Sequence, residues 1–200
     1  KDYNKKIVDI QYNALNLPDA LQFTNDNTTS YMYDAAGSKL SVTHQTAVAG
    51  ITIPMTSVMT PLATTNILAT TTTDYCGNVI YENEAVSRIL TEEGYITLAG
   101  TTPTYHYYLK DHQGNNRVVL SQSGAVEQVN HYYPFGGLFG ESANGAVQPY
   151  KYNGKELDRM HGLDLFDYGA RHYDATLGRW FAVDPMGEKY YNISPYVYVA

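Results

Sequence analysis

Four times along the chain an aspartate is followed three or four residues later by a glycine, with tyrosines close by: Asp34 and Gly37, Asp74 and Gly77, Asp111 and Gly114, Asp174 and Gly178. An aspartate at the first position of a type I turn accepts hydrogen bonds from the backbone just ahead of it, and the glycine takes a positive φ at no steric cost. A glycine bulge after such a turn matches the twist of two antiparallel strands. One Asp-x-x-Gly is weak evidence; four beside tyrosines read as an imperfect hairpin repeat. The expected strands flank them: 39–44 after the first turn, 79–81 after the second, 105–109 and 117–120 around the third, 166–173 and 179–183 around the longer fourth. A further turn at 121–124 leads into a strand over 126–133.

The rest of the chain fits the same plan. Residues 7–13 alternate weakly, a turn is expected at 16–19, and 20–24 can return as a strand. Residues 47–73 are rich in Thr, Ala and Met and broken by Pro54 and Pro61. They form either a long surface excursion or two short strands, 51–53 and 66–69, around a tip. Residues 87–90 read better as a strand than as a helix, with 95–98 as its return across Glu92-Glu93-Gly94. A short helix is expected at 186–191. The class is all-β: short antiparallel hairpins in a curved or spiralling sheet, with at most one or two short helices near the C-terminus.

Composition narrows the function. Of 200 residues 20 are Tyr, charged residues are only 16%, and the net charge is −7, so nucleic acid is not expected as a partner. No apolar run is long enough for a membrane-spanning helix. Cys76 is alone and fixes no disulfide. The six histidines (44, 106, 112, 131, 161 and 172) show no ligand spacing, so neither a metal nor any other cofactor is expected. Tyrosine favours strands, buries its ring and keeps a hydroxyl to bond, so a structural use of these residues outweighs a sugar-stacking one.

The densest stretch is 150–185, where seven aromatic residues lie among glycines and Asp/Arg pairs. It holds no nucleophile–base spacing. Gly154-Lys155 lacks the first glycine and the Ser/Thr of a phosphate loop. Arg159, Arg171 and Arg179 are expected to pair with Asp158, Asp164, Asp167 and Asp174 between neighbouring turns, as a seam that closes an assembly.

In order, these pieces resemble one family. Tyr31-Met32-Tyr33-Asp34-Ala35-Ala36-Gly37 looks like a YD repeat of the RHS class. Tyr107-Tyr108-Leu109-Lys110-Asp111-His112-Gln113-Gly114-Asn115 resembles the start of the RHS repeat-associated core domain. Tyr132-Tyr133-Pro134-Phe135-Gly136, the run Gly154-Lys155-Glu156-Leu157-Asp158, and Tyr168-Gly169-Ala170-Arg171 continue it. Tyr173-Asp174, Gly178-Arg179-Trp180 and Val183-Asp184-Pro185 complete it. The likeness is strong over 104–200, moderate over 1–43 and weak between, giving a YD-repeat-like segment at 1–103 with a Thr-rich insertion near 47–73, then a core domain at 104–200.

The resemblance implies a carrier: a shell of spiralling sheet in a large secreted, wall-associated or cell-surface protein of polymorphic-toxin type, closed by the core domain around a C-terminal cargo. The partners implied are the rest of the same polypeptide and that cargo, with glycans or a receptor as the competing reading and association through free sheet edges as a physical corollary. Some members release the cargo with two aspartates in successive Asp-Pro-x-Gly motifs. Asp184-Pro185-Met186-Gly187 fits the first. The chain reads as a piece of a longer polypeptide with the second motif beyond Ala200, so no enzyme activity is expected of it by itself.

Overall fold

The computed structural model describes residues 1–198. The fold is all-β, an antiparallel sheet of eleven strands whose spatial order follows the sequence, and a second sheet of four. Two compact units emerge: Lys1–Leu90 with Met160–Leu163, and Thr91–Arg159 with the residues from Asp164 onward.

The first unit holds β1 (Ile7–Tyr12), β2 (Pro18–Phe23), β3 (Thr28–Tyr33), β4 (Lys39–Ala47), β5 (Ile67–Cys76), β6 (Val79–Glu82) and β7 (Ala85–Thr91, whose last residue falls to the second unit). Its core includes Ile7, Val8, Leu21, Phe23, Tyr31 and Val42, all buried. The second unit continues with β8 (Gly94–Ala99), β9 (Thr102–Lys110), β10 (Asn116–Ser121) and β11 (Val126–Val129). The smaller sheet is β12 (Glu156–Asp158), β13 (Leu165–Asp167), β14 (His172–Asp174) and β15 (Arg179–Trp180).

One turn recurs. In it the first residue donates its N–H to the carbonyl of the fifth, and the fourth, at positive φ, donates to the carbonyl of the first. Turns 13–17, 23–27, 34–38, 111–115, 121–125 and 133–137 all follow this rule, and 151–155 shares the two bonds with Asn153 also at positive φ. The fourth position is glycine in five of the seven, but Asn16 and Asp26 take it in the first two. The side-chain oxygens of Asn13, Asp34 and Asp111 each accept the N–H groups two and four residues on, at 2.8–3.1 Å. That is the mechanism expected of an Asx turn.

Several expectations are corrected. Asp74 opens no turn: β5 runs through it, paired with Tyr81, and its carboxylate accepts from Ser41 Oγ at 2.7 Å. The turn is Gly77-Asn78, between the paired Cys76 and Val79, with φ +63 at the glycine alone. Such a two-residue primed turn needs no aspartate. The turn set at 16–19 lies earlier, over 13–17, with Pro18 already in β2. The strand expected over 126–133 stops at Val129. Residues 166–173 are two strands rather than one. Tyr168 N–H donates to Arg171 O and Gly169 takes φ +84, so the chain folds into a hairpin there.

The Thr-rich stretch combines the two alternatives: the strand offered at 66–69 forms and runs on, and the one at 51–53 does not. Residues 51–53 form no strand, whereas β5 starts at Ile67 and pairs with β4 from Ala47 to Ser41. Threonine is β-branched and strand-forming, and Thr43 and Thr72 hydroxyls meet across the pair at 3.3 Å. The true excursion, 48–66, is held back on the first unit. Met59 N–H donates to Asp9, Thr60 exchanges hydrogen bonds with Gln22, and Lys1 Nζ donates to the carbonyls of Met55 and Ser57. The expected helix near 186–191 is a single 3-10 turn, Gly187–Lys189.

Candidate functional site

The smaller sheet carries the aromatic seam. Tyr152, Leu157, Phe166 and Tyr173 are buried together, with Tyr132, Tyr168, Trp180 and Tyr198 packed against them. Tyr173 is the hub: its ring stacks on Tyr198 at 4.0 Å between centroids and meets Trp180 edge-on at 5.8 Å. Tyr168 and Trp180 stand perpendicular at 5.3 Å. Offset and edge-to-face pairs of this kind contribute about 0.5–1.5 kcal/mol each beyond simple burial.

The tyrosine hydroxyls of the seam are hydrogen-bonded. Tyr132 donates to Asn116 O at 2.7 Å, Tyr173 to Phe135 O at 2.9 Å, and Tyr168 to Asn153 Oδ1 at 2.6 Å. Burial pushes the phenols of Tyr132, Tyr168 and Tyr173 far above the ordinary range, so they act here as neutral donors.

Beside the seam lies a buried polar cluster that sequence reading missed. Asn116, Gln128, Asn130, Gln148 and Lys151 are all at most 1% exposed. Gln148 Nε2 donates to Gln128 Oε1 at 2.7 Å, and Asn130 Nδ2 to Asn116 O at 2.9 Å. Lys151 Nζ donates to Gln148 O at 3.0 Å and Asn130 Oδ1 at 3.3 Å. Burial, with the Arg159 charge adding to it, brings the Lys151 amine down to about 8. Only the spacing of Lys151 between Tyr150 and Tyr152 on a folded-back turn could have hinted at this.

The residues singled out by motif fall around this core. Gly154 closes the turn that starts at Lys151, and Lys155 Nζ lies 5.2 Å from the Tyr168 ring centre. Glu156 and Asp158 sit in β12 opposite Asp167 and Leu165. Asp167 Oδ1 accepts from Gly169 N–H at 2.7 Å. Arg171 stacks over Trp180 at 4.3 Å and donates to Asp184 Oδ2 at 3.1 Å. Asp174 Oδ1 caps the turn toward Gly178 by accepting from Thr176 and Leu177 N–H. Arg179 packs toward the Tyr196 ring at 6.0 Å and pairs through its backbone with Asp174. Of the pairings foreseen for the arginines, Arg159–Asp164 forms at 2.9 Å, while Arg171 takes Asp184 instead.

Asp184 sits in a compact turn. Its Oδ1 accepts from Met186 N–H at 2.7 Å, its carbonyl from Gly187 N–H, and its N–H donates to Pro195 O. Asp184, Pro185, Gly187, Glu188, Tyr191 and Pro195 line an open pocket of about 520 Å³. A second pocket, about 530 Å³, lies among Tyr133, Phe135, Leu138, Phe166 and the Arg159–Asp164 pair. Among the described residues no three His, Cys, Asp or Glu side chains converge as metal ligands, and no helix is long and apolar enough to cross a membrane.

No family model matches the chain. Salivary gland surface protein 1 of Aedes aegypti is 38% identical over 97 residues, which is 47% of this chain and 3% of that protein. Two solved structures superpose with a TM-score of 0.65: TcdB2-TccC3 without the hypervariable C-terminal region, over 91% of this chain at 19% identity, and TcdB2-TccC3, over 97% at 18%. A Photorhabdus luminescens Tc holotoxin pore, carrying a TccC3 point mutation, superposes at 0.64 over 96% of this chain with 18% identity. The chain spans only about a tenth of the length of each of those chains. The fold of this chain is the one found within Tc toxin complex chains.

Proposed function

We propose that this chain is a wall and closing segment of a large RHS-type shell protein, secreted or on the cell surface, that encloses and delivers a C-terminal cargo domain. The observation that carries the reading is the superposition of nearly the whole chain on a tenth of a Tc toxin chain. An open sheet supports it too. Among the described residues β1 and β11 stand at the two ends of the strand order, each paired with one strand and otherwise touched by a single bridge, Asp2–Ile7 and Val129–Ala143, and wall segments need such edges for their neighbours. One face of β8–β10 exposes Leu98, Tyr105, Tyr107 and Leu109, apolar surface of the sort a lumen or a neighbouring strand layer covers. The name of the mosquito relative, a surface protein, agrees with a location outside the cell.

In this reading the chain performs no chemistry by itself. Asp184, whose carboxylate is engaged by Arg171 and Met186 N–H, is a turn residue here and half of an aspartyl pair only in a longer polypeptide. The open pocket at Asp184 is what favours that second role.

The test is protease protection in the full polypeptide. The segment C-terminal to this chain should resist digestion until the shell is opened by denaturant. Digestion at the rate of an unenclosed domain would overturn the reading, and saturable glycan binding by the exposed Tyr105 and Tyr107 face would favour the competing adhesive one. Self-cleavage that vanishes in an Asp184→Asn polypeptide would establish the aspartyl role.

A further inference from the structure

The tetrapeptide Met160–Leu163 is a member of the first unit although residues 91–159 separate it from the rest in sequence. Leu163 is fully buried, and its carbonyl accepts from Lys5 Nζ at 2.7 Å. His161 stands at φ +56, an uncommon backbone for a side chain of this size, and presents its ring edge-on to Phe23 at 5.4 Å and His44 at 5.7 Å.

The hydrogen bonding fixes the protonation state of that ring. Asn27 Oδ1 accepts from Ala47 N–H at 2.9 Å, which turns Asn27 Nδ2 toward His161 Nδ1 at 2.8 Å. An amide nitrogen is a donor only, so Nδ1 is the acceptor and the ring proton resides on Nε2. Among the described residues Nε2 is buried without a hydrogen bond of ordinary geometry, the Thr28 backbone being the one polar group that acts on the ring to favour its charge. The site a second proton must take is therefore occupied by a donated hydrogen bond. The amide that donates it cannot turn over without releasing Ala47.

We infer that His161 is an acid-sensitive latch: a proton on Nδ1 breaks the Asn27 contact and releases Met160–Leu163 from its seat in the first unit. The charged and titratable groups on the elements packed there give it little relief. His44 on β4, bonded to Thr29 Oγ1, would repel it as a cation, and Lys5 brings a second positive charge to the same tetrapeptide. Asp26, on the β2–β3 turn, is engaged by Gln22 Nε2 at 2.6 Å. Burial first and His44 second hold the imidazole down to about 4, with only the Thr28 backbone opposing them.

The sign follows from linkage. A histidine lowered in the seated state and ordinary in the released state leaves the seat intact above pH ~6.5 and weakens it as pH falls toward ~4. Between pH 7 and 5 those values open the seat by about 20-fold.

Hydrogen exchange at Leu163 N–H, which donates to Met160 O at 3.0 Å, reads the opening directly once intrinsic rates are removed. The native chain should show that rise, whereas His161→Asn, which keeps an acceptor for Asn27 and tolerates positive φ, should stay flat. A rise of equal size in both, or none in the native chain, overturns the latch. If the variant does not fold, the imidazole titration of His161 in the native chain decides: a midpoint near 6.5 overturns it, and one below 5 supports it.

Discussion

Arg171 reaches Asp184 across the C-terminal turn at 3.1 Å while its guanidinium plane covers Trp180 at 4.3 Å, so one side chain joins the Asp-Pro turn to the aromatic seam. Only 17% of the Arg171 side chain and 33% of the Asp184 side chain are exposed. Among the described residues Arg171 Nη1 is nevertheless buried without a hydrogen-bond partner. Arg171→Ala should cost about 2–3 kcal/mol in urea unfolding, through the lost stacking and a stranded carboxylate. Arg171→Met should cost less, because it keeps the contact with Trp180 and removes the unsatisfied donor. Equal losses for the two would mean that the ion pair dominates.

Gly136 is required by space as well as by backbone. It stands at φ +85, and a Cβ there would meet the Tyr152 ring at 2.5 Å. The ring cannot retreat, being packed against Tyr132, Phe166 and Tyr173. Gly136→Ala should lower stability by about 2–4 kcal/mol, measured as a shifted denaturation midpoint at unchanged slope. Gly124→Ala has the same positive φ with open space, and should cost about 1 kcal/mol.

Asp111 tests the recurrent turn. Its carboxylate accepts from Gln113 N–H, Asn115 N–H and Asn115 Nδ2, and these bonds outweigh the effect of burial and hold it below the ordinary carboxylate range. A depressed carboxylate contributes stability that is present above its unfolded value near 4 and fades as pH falls through the folded one. Asp111→Ala should lose about 1–2 kcal/mol at pH 7 and much less near pH 2. Asp111→Asn, which keeps one acceptor, should lie between the two.

How much of this could be read from the sequence depended on whether the signal was local. Turns at Asp34 and Asp111 were legible because an Asx oxygen and a glycine act within five residues. The same turn at 13–17 was not, because Asn16 takes the glycine's place. The start of β5 falls in the strand offered at 66–69, but its continuation was hidden since Thr70 to Thr73 carry no apolar alternation, and its pairing with β4 is a long-range choice. The hairpin within 166–173 was hidden for the opposite reason: aromatics run through it and mask the break at Gly169. The polar cluster of Asn116, Gln128, Asn130, Gln148 and Lys151 draws on three separate stretches, which no spacing rule connects.

That cluster makes the sharpest pH prediction. Lys151 is brought down to about 8 in the folded chain against about 10.5 unfolded, so the folded state binds fewer protons between those limits. Stability should therefore rise from pH 8 toward 10, by about 2 kcal/mol if Lys151 acted alone. Above pH 10 the sign reverses. Tyr132, Tyr168 and Tyr173 stay protonated when folded but ionise when unfolded, so the folded state then binds more protons and stability falls. The outcome is a maximum near pH 10 in urea midpoints measured from pH 7 to 11. In Lys151→Met the rise should disappear while the alkaline fall remains. The variant itself should be less stable than the native chain at pH 10, because Gln148 O and Asn130 Oδ1 lose their donor in a buried site. At pH 7 the gap should narrow, since the native chain must there hold a charged amine out of water. An unchanged rise in Lys151→Met would show that other groups carry it.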